Sequence, residues 1–93
     1  MSWKIPVEKI QSIIAQCDEQ VWEPFPGITI MAWLLPNGYT IVESSGCVDP
    51  SEYNRELGMH NCREALTRKL WQLEGYLRKQ EYNKKTNMGR ADD

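Results

Sequence analysis

Pro36-Asn37-Gly38 is the feature that most restricts how this chain can fold, because it stands between two strand-length apolar runs, Ile28 to Leu35 and Tyr39 to Ser45. Asn-Gly is the preferred centre of a two-residue type I′ turn, since both positions need positive φ and these residues tolerate it. The spacing predicts an antiparallel β-hairpin over 28–46. With Asn37 and Gly38 as the loop, Leu34 faces Ile41, Trp33 faces Val42 and Ala32 faces Glu43. One face then collects Thr29, Met31, Trp33, Leu35, Thr40 and Val42, and the other collects Ile28, Ile30, Ala32, Leu34, Ile41 and Glu43. Both faces are apolar, and a lone hairpin is marginal in water. One face is therefore expected to pack on helix while the other stays free for a partner.

Helical patterns flank the hairpin. Ile5, Val7, Ile10, Ile13, Ile14 and Cys17 follow spacings near three and four, and Pro6 suits a first helical turn, which predicts an amphipathic helix over 6–18. Trp22-Glu23-Pro24-Phe25-Pro26-Gly27 follows; its prolines and glycine are expected to exclude regular structure and make 19–27 a stiff connector. Asp49-Pro50-Ser51-Glu52 reads as a capped helix start, with a long helix over 50–82 and a polar tail over 83–93. Met59, Cys62, Leu66, Leu70, Leu73 and Leu77 hold one narrow stripe, within about 40° of Leu66 at 100° per residue. Trp71 lies off that stripe, near His60, Glu64 and Arg78. The expected fold is α+β: N-terminal helix, antiparallel hairpin, long C-terminal helix, in one domain over 1–93.

Charge is segregated along the chain. Residues 1–60 hold three bases against eight acids, and residues 61–91 hold eight bases against three acids. A basic end can track phosphate, or it can keep a helix soluble and favour its C-terminal dipole. Cys17, Cys47 and Cys62 are an odd set with no close pairing, and no run approaches the ~20 apolar residues of a membrane span. These features point to a reducing compartment, with the thiols buried rather than bridged.

The constellations that carry chemistry are thin. Cys47, His60 and Cys62 lack the paired spacing of a zinc site, and His60 and Cys62 fall on different helix faces. The acids form no marked pair and no glycine loop cradles a phosphate. The expectation is a protein without catalytic residues, cofactor or metal. Trp71-Gln-Leu-Glu-Gly-Tyr-Leu77 carries more information, because a glycine costs a helix interior about 1 kcal/mol against alanine. Gly75 beside Trp71 and Tyr76 suggests a surface that something approaches closely; a tolerated glycine in a core helix is the alternative. Trp71, Gly75, Tyr76 and Arg78, together with Trp33 on the hairpin, form a candidate protein-binding surface. Arg78, Lys79, Lys84 and Lys85, with interleaved aromatics, form a candidate nucleic-acid surface. Leu66, Leu70, Leu73 and Leu77 could instead be a seam between subunits of a homo-oligomer.

From Phe25 to Leu77 the chain also resembles a small tailed-phage protein family named for gene products 49 and 66 of two enterobacterial phages, N-four and Sf-six. The resemblance is carried by Phe25-Pro26-Gly27, Leu35-Pro36-Asn37-Gly38-Tyr39-Thr40, Glu43-Ser44-Ser45-Gly46-Cys47-Val48, Pro50, Tyr53, Glu56-Leu57-Gly58, Asn61, Ala65 and Trp71-Gln-Leu-Glu-Gly-Tyr-Leu77. The chain departs from the pattern at Met31-Ala32-Trp33, where members often have a cysteine, and at Cys62, where a small residue is usual. The resemblance implies a phage or prophage accessory protein in the host bacterial cytoplasm, and implies no reaction. The expected function is binding to a host or phage protein, for example as an inhibitor of a defence or replication component, with nucleic-acid binding and a structural homo-oligomer as alternatives.

Overall fold

The computed structural model describes residues 3–86. Its elements run α1 (Val7–Gln16), β1 (Asp18–Trp22), β2 (Ile28–Leu34), β3 (Thr40–Gly46), a 3₁₀ turn (Pro50–Glu52) and α2 (Arg55–Thr86). The three strands form one antiparallel sheet in the order β1-β2-β3, and α2 lies across one face of it. The architecture is α+β, as the sequence patterns require. Of the expected tail, residues 83–86 continue α2, and 87–93 lie outside the described residues.

The hairpin departs from its expected register by one residue. Leu35 N–H donates to Tyr39 O at 2.8 Å and Gly38 N–H donates to Leu35 O at 2.9 Å, so the loop is Pro36-Asn37-Gly38 rather than Asn37-Gly38. Pro36 presets the first turn position, Gly38 takes φ +92°, and Asn37 Oδ1 accepts from Tyr39 N–H. Leu34 therefore pairs with Thr40, Trp33 with Ile41 and Ala32 with Val42. A one-residue slip moves every side chain of a strand to the other face. Ile41 and Glu43 accordingly join Thr29, Met31 and Trp33 on the helix side, and Val42 points outward.

The expected connector holds a strand. Asp18–Trp22 pairs along β2 from Asp18↔Leu34 to Trp22↔Ile30, and the prolines begin only after it. Phe25-Pro26-Gly27-Ile28 then closes a turn: Ile28 N–H donates to Phe25 O at 3.3 Å, and Gly27 takes φ +84° behind Pro26. Val21 is the one aliphatic that β1 turns inward, so the strand is held by pairing and by Glu19 more than by its own composition.

The long helix begins later than its first capping signal. Asp49 caps a single 3₁₀ turn through Ser51 N–H, and the helix restarts at Asn54, whose Oδ1 accepts from Glu56 N–H at 2.9 Å and Leu57 N–H at 3.2 Å. No break occurs at Gly58, which is buried where α2 meets β2. A Cβ there would collide with the Thr29 hydroxyl, and Thr29 in turn shares a 2.5 Å hydrogen bond with the Tyr53 hydroxyl. Ile10 of α1, Met31, Trp33, Leu35 and Ile41 of the hairpin, and Cys62, Leu66 and Leu70 of α2 make the core. Burying each large aliphatic contributes about 1.5–3 kcal/mol relative to exposure.

Acids on both edge strands clamp α2. Glu19 on β1 receives Arg63 through two hydrogen bonds of 2.7 and 3.0 Å and the Trp33 indole N–H at 2.8 Å. Glu43 on β3 meets Lys69 at 3.1 Å, and Glu23 meets Arg55 at 2.8 Å. The two oppositely charged segments of the sequence thus neutralise each other in part within the fold. The Arg63 hydrogen bonds are the main reason that the Glu19 carboxyl is held below its ordinary range, against the opposing effect of burial and with help from Trp33.

Candidate functional site

Two segments far apart in sequence, the hairpin tip and the distal half of α2, converge on an open groove of about 390 Å³. α2 has 32 residues, hence roughly 48 Å of helix at 1.5 Å per residue, whereas a seven-residue strand spans only about 23 Å. The leucine stripe outruns the sheet that covers it. Leu66 and Leu70 are 0% and 2% exposed, whereas Leu73 and Leu77 are 39% and 47% exposed. The two outer leucines line the groove with Ile13 of α1 and Leu35, Pro36 and Tyr39 of the hairpin tip, while Lys9 and Glu74 stand at its edges. This is a mainly apolar cleft with one charge of each sign, of a size that accepts small apolar groups.

A second hollow, of about 270 Å³, lies where the N-terminal segment crosses α2 and is lined by Trp3, Ile5, Gly75, Arg78, Lys79 and Tyr82. Trp3 meets Tyr82 edge-on at 5.5 Å, Lys79 Nζ sits 5.1 Å from the Tyr82 ring centre, and Arg78 donates to the Lys4 carbonyl at 2.9 Å. A Cβ on Gly75 would meet no atom of the described residues within 4 Å, so none of them packs closely on this glycine. The close approach that a helical glycine allows is made at Gly58 instead.

The sequence-expected surface is therefore divided. Gly75 and Arg78 share the second hollow, Tyr76 is 69% exposed, and Trp71 is half-buried against the core rather than on a separate flank. Trp33 is 1% exposed and hydrogen-bonded to Glu19, which removes it from any partner surface. The expected inter-subunit seam is divided as well: Leu66 and Leu70 belong to the core of one chain, and only Leu73 and Leu77 face outward. Of the candidate nucleic-acid bases, Arg78 and Lys79 hold the N-terminal segment and the Tyr82 ring, while Lys84 and Lys85 are exposed in the last turn of α2. Sequence reasoning missed Lys9, Ile13, Pro36, Tyr39 and Glu74, which only the tertiary fold gathers. The available signal was the stripe itself, longer than any hairpin could cover.

The cysteines are unbridged: Cys62 is buried, Cys17 half-buried and Cys47 exposed, so the expectation of burial holds only in part. Burial raises the Cys62 and Cys17 thiols above their ordinary range. Cys47 Sγ donates to Asp49 O at 3.2 Å and would lie 3.0 Å from a Cβ on Gly27, so it packs a turn. Among the described residues no cluster of three or more His, Cys, Asp or Glu is placed to hold a metal ion, and no helix is long and apolar enough to cross a membrane.

Fold and groove together define a small α+β protein with an open apolar cleft between a hairpin tip and an overhanging helix. The chain belongs to the phage protein (N4 Gp49/phage Sf6 gene 66) family, whose model matches residues 5–82. No curated protein and no solved structure matches the chain.

Proposed function

We propose that this phage accessory protein works without catalysis, by binding a host or phage protein in the host cytoplasm, and that the groove under the hairpin tip receives the partner's apolar side chains. The observation that carries this reading is the paired exposure of Leu73 and Leu77 over a groove already walled by Ile13, Leu35 and Tyr39. Two leucines a helical turn apart, flanked by Lys9 and Glu74, suit the apolar face of an amphipathic helix or loop. Inhibition of a defence or replication component is one outcome that such binding produces.

The test is co-purification of tagged wild-type protein and of Leu73→Asp and Leu77→Asp variants from infected lysate, before and after nuclease treatment. A protein retained after nuclease and lost with both variants supports the reading, provided that circular dichroism shows both variants folded. Equal recovery by folded variants overturns the groove as the binding surface. Loss of every partner on nuclease treatment moves the function to nucleic acid.

A further inference from the structure

The two edges of the sheet are built differently. Leu35–Tyr39 and Gly27–Cys47 are hydrogen-bonded pairs, so the odd-numbered residues of β3 direct their main-chain groups into the sheet. Thr40, Val42, Ser44 and Gly46 therefore turn their N–H and C=O groups outward. In β1 the same alternation leaves only the main-chain groups of Glu19 and Val21 directed out of the sheet edge, on a five-residue strand that opens with two acids and is soon followed by Pro24. Short length, charge and nearby proline are what natural edges use against unwanted pairing. β3 is protected less: it runs seven residues with no Lys, Arg or Pro, and its one charge, Glu43, is turned to the helix side and neutralised by Lys69. Val42 is 59% exposed in the middle of this edge.

We infer that β3 is a docking edge for a second copy of this chain, the two β3 strands pairing antiparallel about a two-fold axis at Val42. The sequence around the edge is self-complementary in that register. Val42 meets Val42 of the second copy, Thr40 meets Ser44, and Ile41 meets Glu43, all pairs without like charges opposed. A two-fold axis at Glu43 would oppose two carboxylates, and one at Ile41 would bring Pro36 opposite Gly46 and shorten the ladder. The Val42 register supplies about six main-chain hydrogen bonds and joins two sheets into one, with each patch meeting its own copy. The strand itself carries no base to favour a phosphate backbone, and Lys69 beside it is tied to Glu43.

Sedimentation equilibrium on the full-length chain tests this, with dimer expected at micromolar to millimolar concentration. Val42→Pro removes an N–H that points out of the sheet, so the ladder within one chain survives while the dimer is lost. Val42→Lys does the same by opposing two ammonium groups, and it carries the test if the proline variant fails to fold. In a Cys47→Ser background, Val42→Cys should give a disulfide-linked dimer on mild oxidation, because facing Cα atoms in such a pair lie about 5.5 Å apart. Ser44→Cys should cross-link poorly with itself and efficiently with Thr40→Cys. A wild-type monomer at millimolar concentration overturns the inference, as does a dimer that both folded Val42 variants leave intact. Self-cross-linking of Ser44→Cys as efficient as that of Val42→Cys overturns the register.

Discussion

α2 is one continuous helix with two different lives. Its first half, to Leu70, buries Gly58, Cys62, Leu66 and Leu70 against the sheet and is pinned by Arg55, Arg63 and Lys69 to acids on β1, β3 and the turn between β1 and β2. Its second half carries the same leucine stripe but has no sheet beneath it. Leu73, Tyr76 and Leu77 stay exposed there, and the N-terminal segment covers the flank around Gly75. The contrast shows that an amphipathic pattern specifies which side of a helix is apolar, and that the length of the scaffold decides how much of that side is consumed in folding. What is left over becomes available surface.

Substitutions along the helix should separate the halves. Leu66→Ala is expected to cost about 2–5 kcal/mol, because it opens a cavity in a fully buried site, whereas Leu77→Ala should cost about 1 kcal/mol or less. Denaturant unfolding of both variants measures the difference; equal losses would mean that the distal half is as tightly packed as the proximal half.

The two glycines of α2 should respond with opposite sign. Gly58→Ala drives a methyl group into Thr29 and should destabilise the fold by about 1–3 kcal/mol. Gly75→Ala meets open space and should stabilise it by about 0.5–1 kcal/mol through helix propensity. Thermal melts of the two variants decide this, and a destabilising Gly75→Ala would show that something already fills the hollow above it.

The clamp on the proximal half should titrate. The Glu19 carboxyl is held low chiefly by Arg63, so its contribution is present above the unfolded carboxylate value of about 4 and is lost as pH falls through the lower folded value. Both partners are partly exposed, which limits the effect of Glu19→Gln to about 0.5–1 kcal/mol. Stability measured from neutral to acid pH should fall less steeply in that variant than in the wild type. The smallest effect concerns rates: an alkylating reagent should reach Cys47 first, Cys17 next and Cys62 only on opening of the proximal core. Mass spectrometry of timed samples reads that order, and early labelling of Cys62 would contradict a closed core.

Much of this architecture was legible in local pattern. The α1 spacing, the glycine turn at the hairpin tip and the leucine stripe each state their element directly, because each depends on neighbours within a few residues. β1 was not legible, since Asp18–Trp22 turns a single aliphatic inward and becomes a strand through pairing with β2 and the Glu19 contacts with Arg63 and Trp33. The hairpin register turned on Pro36, whose preference for the first position of an ordinary turn outweighed the two-residue Asn-Gly loop. Candidate site residues divided for the same reason. Gly75, Tyr76 and Arg78 were identifiable as unusual helix positions, but exposure depends on what lies opposite, and that placed Trp33 inside and Leu73 and Leu77 outside.

The sequence by itself determined the kinds of element, their order and the apolar side of each helix, because turn chemistry and periodicity act over short distances. Tertiary structure alone decided the third strand, which face of the hairpin α2 covers, and the point along α2 where burial stops. Those outcomes depend on which surfaces meet across the fold, and a free energy shared between segments tens of residues apart is written in neither segment alone.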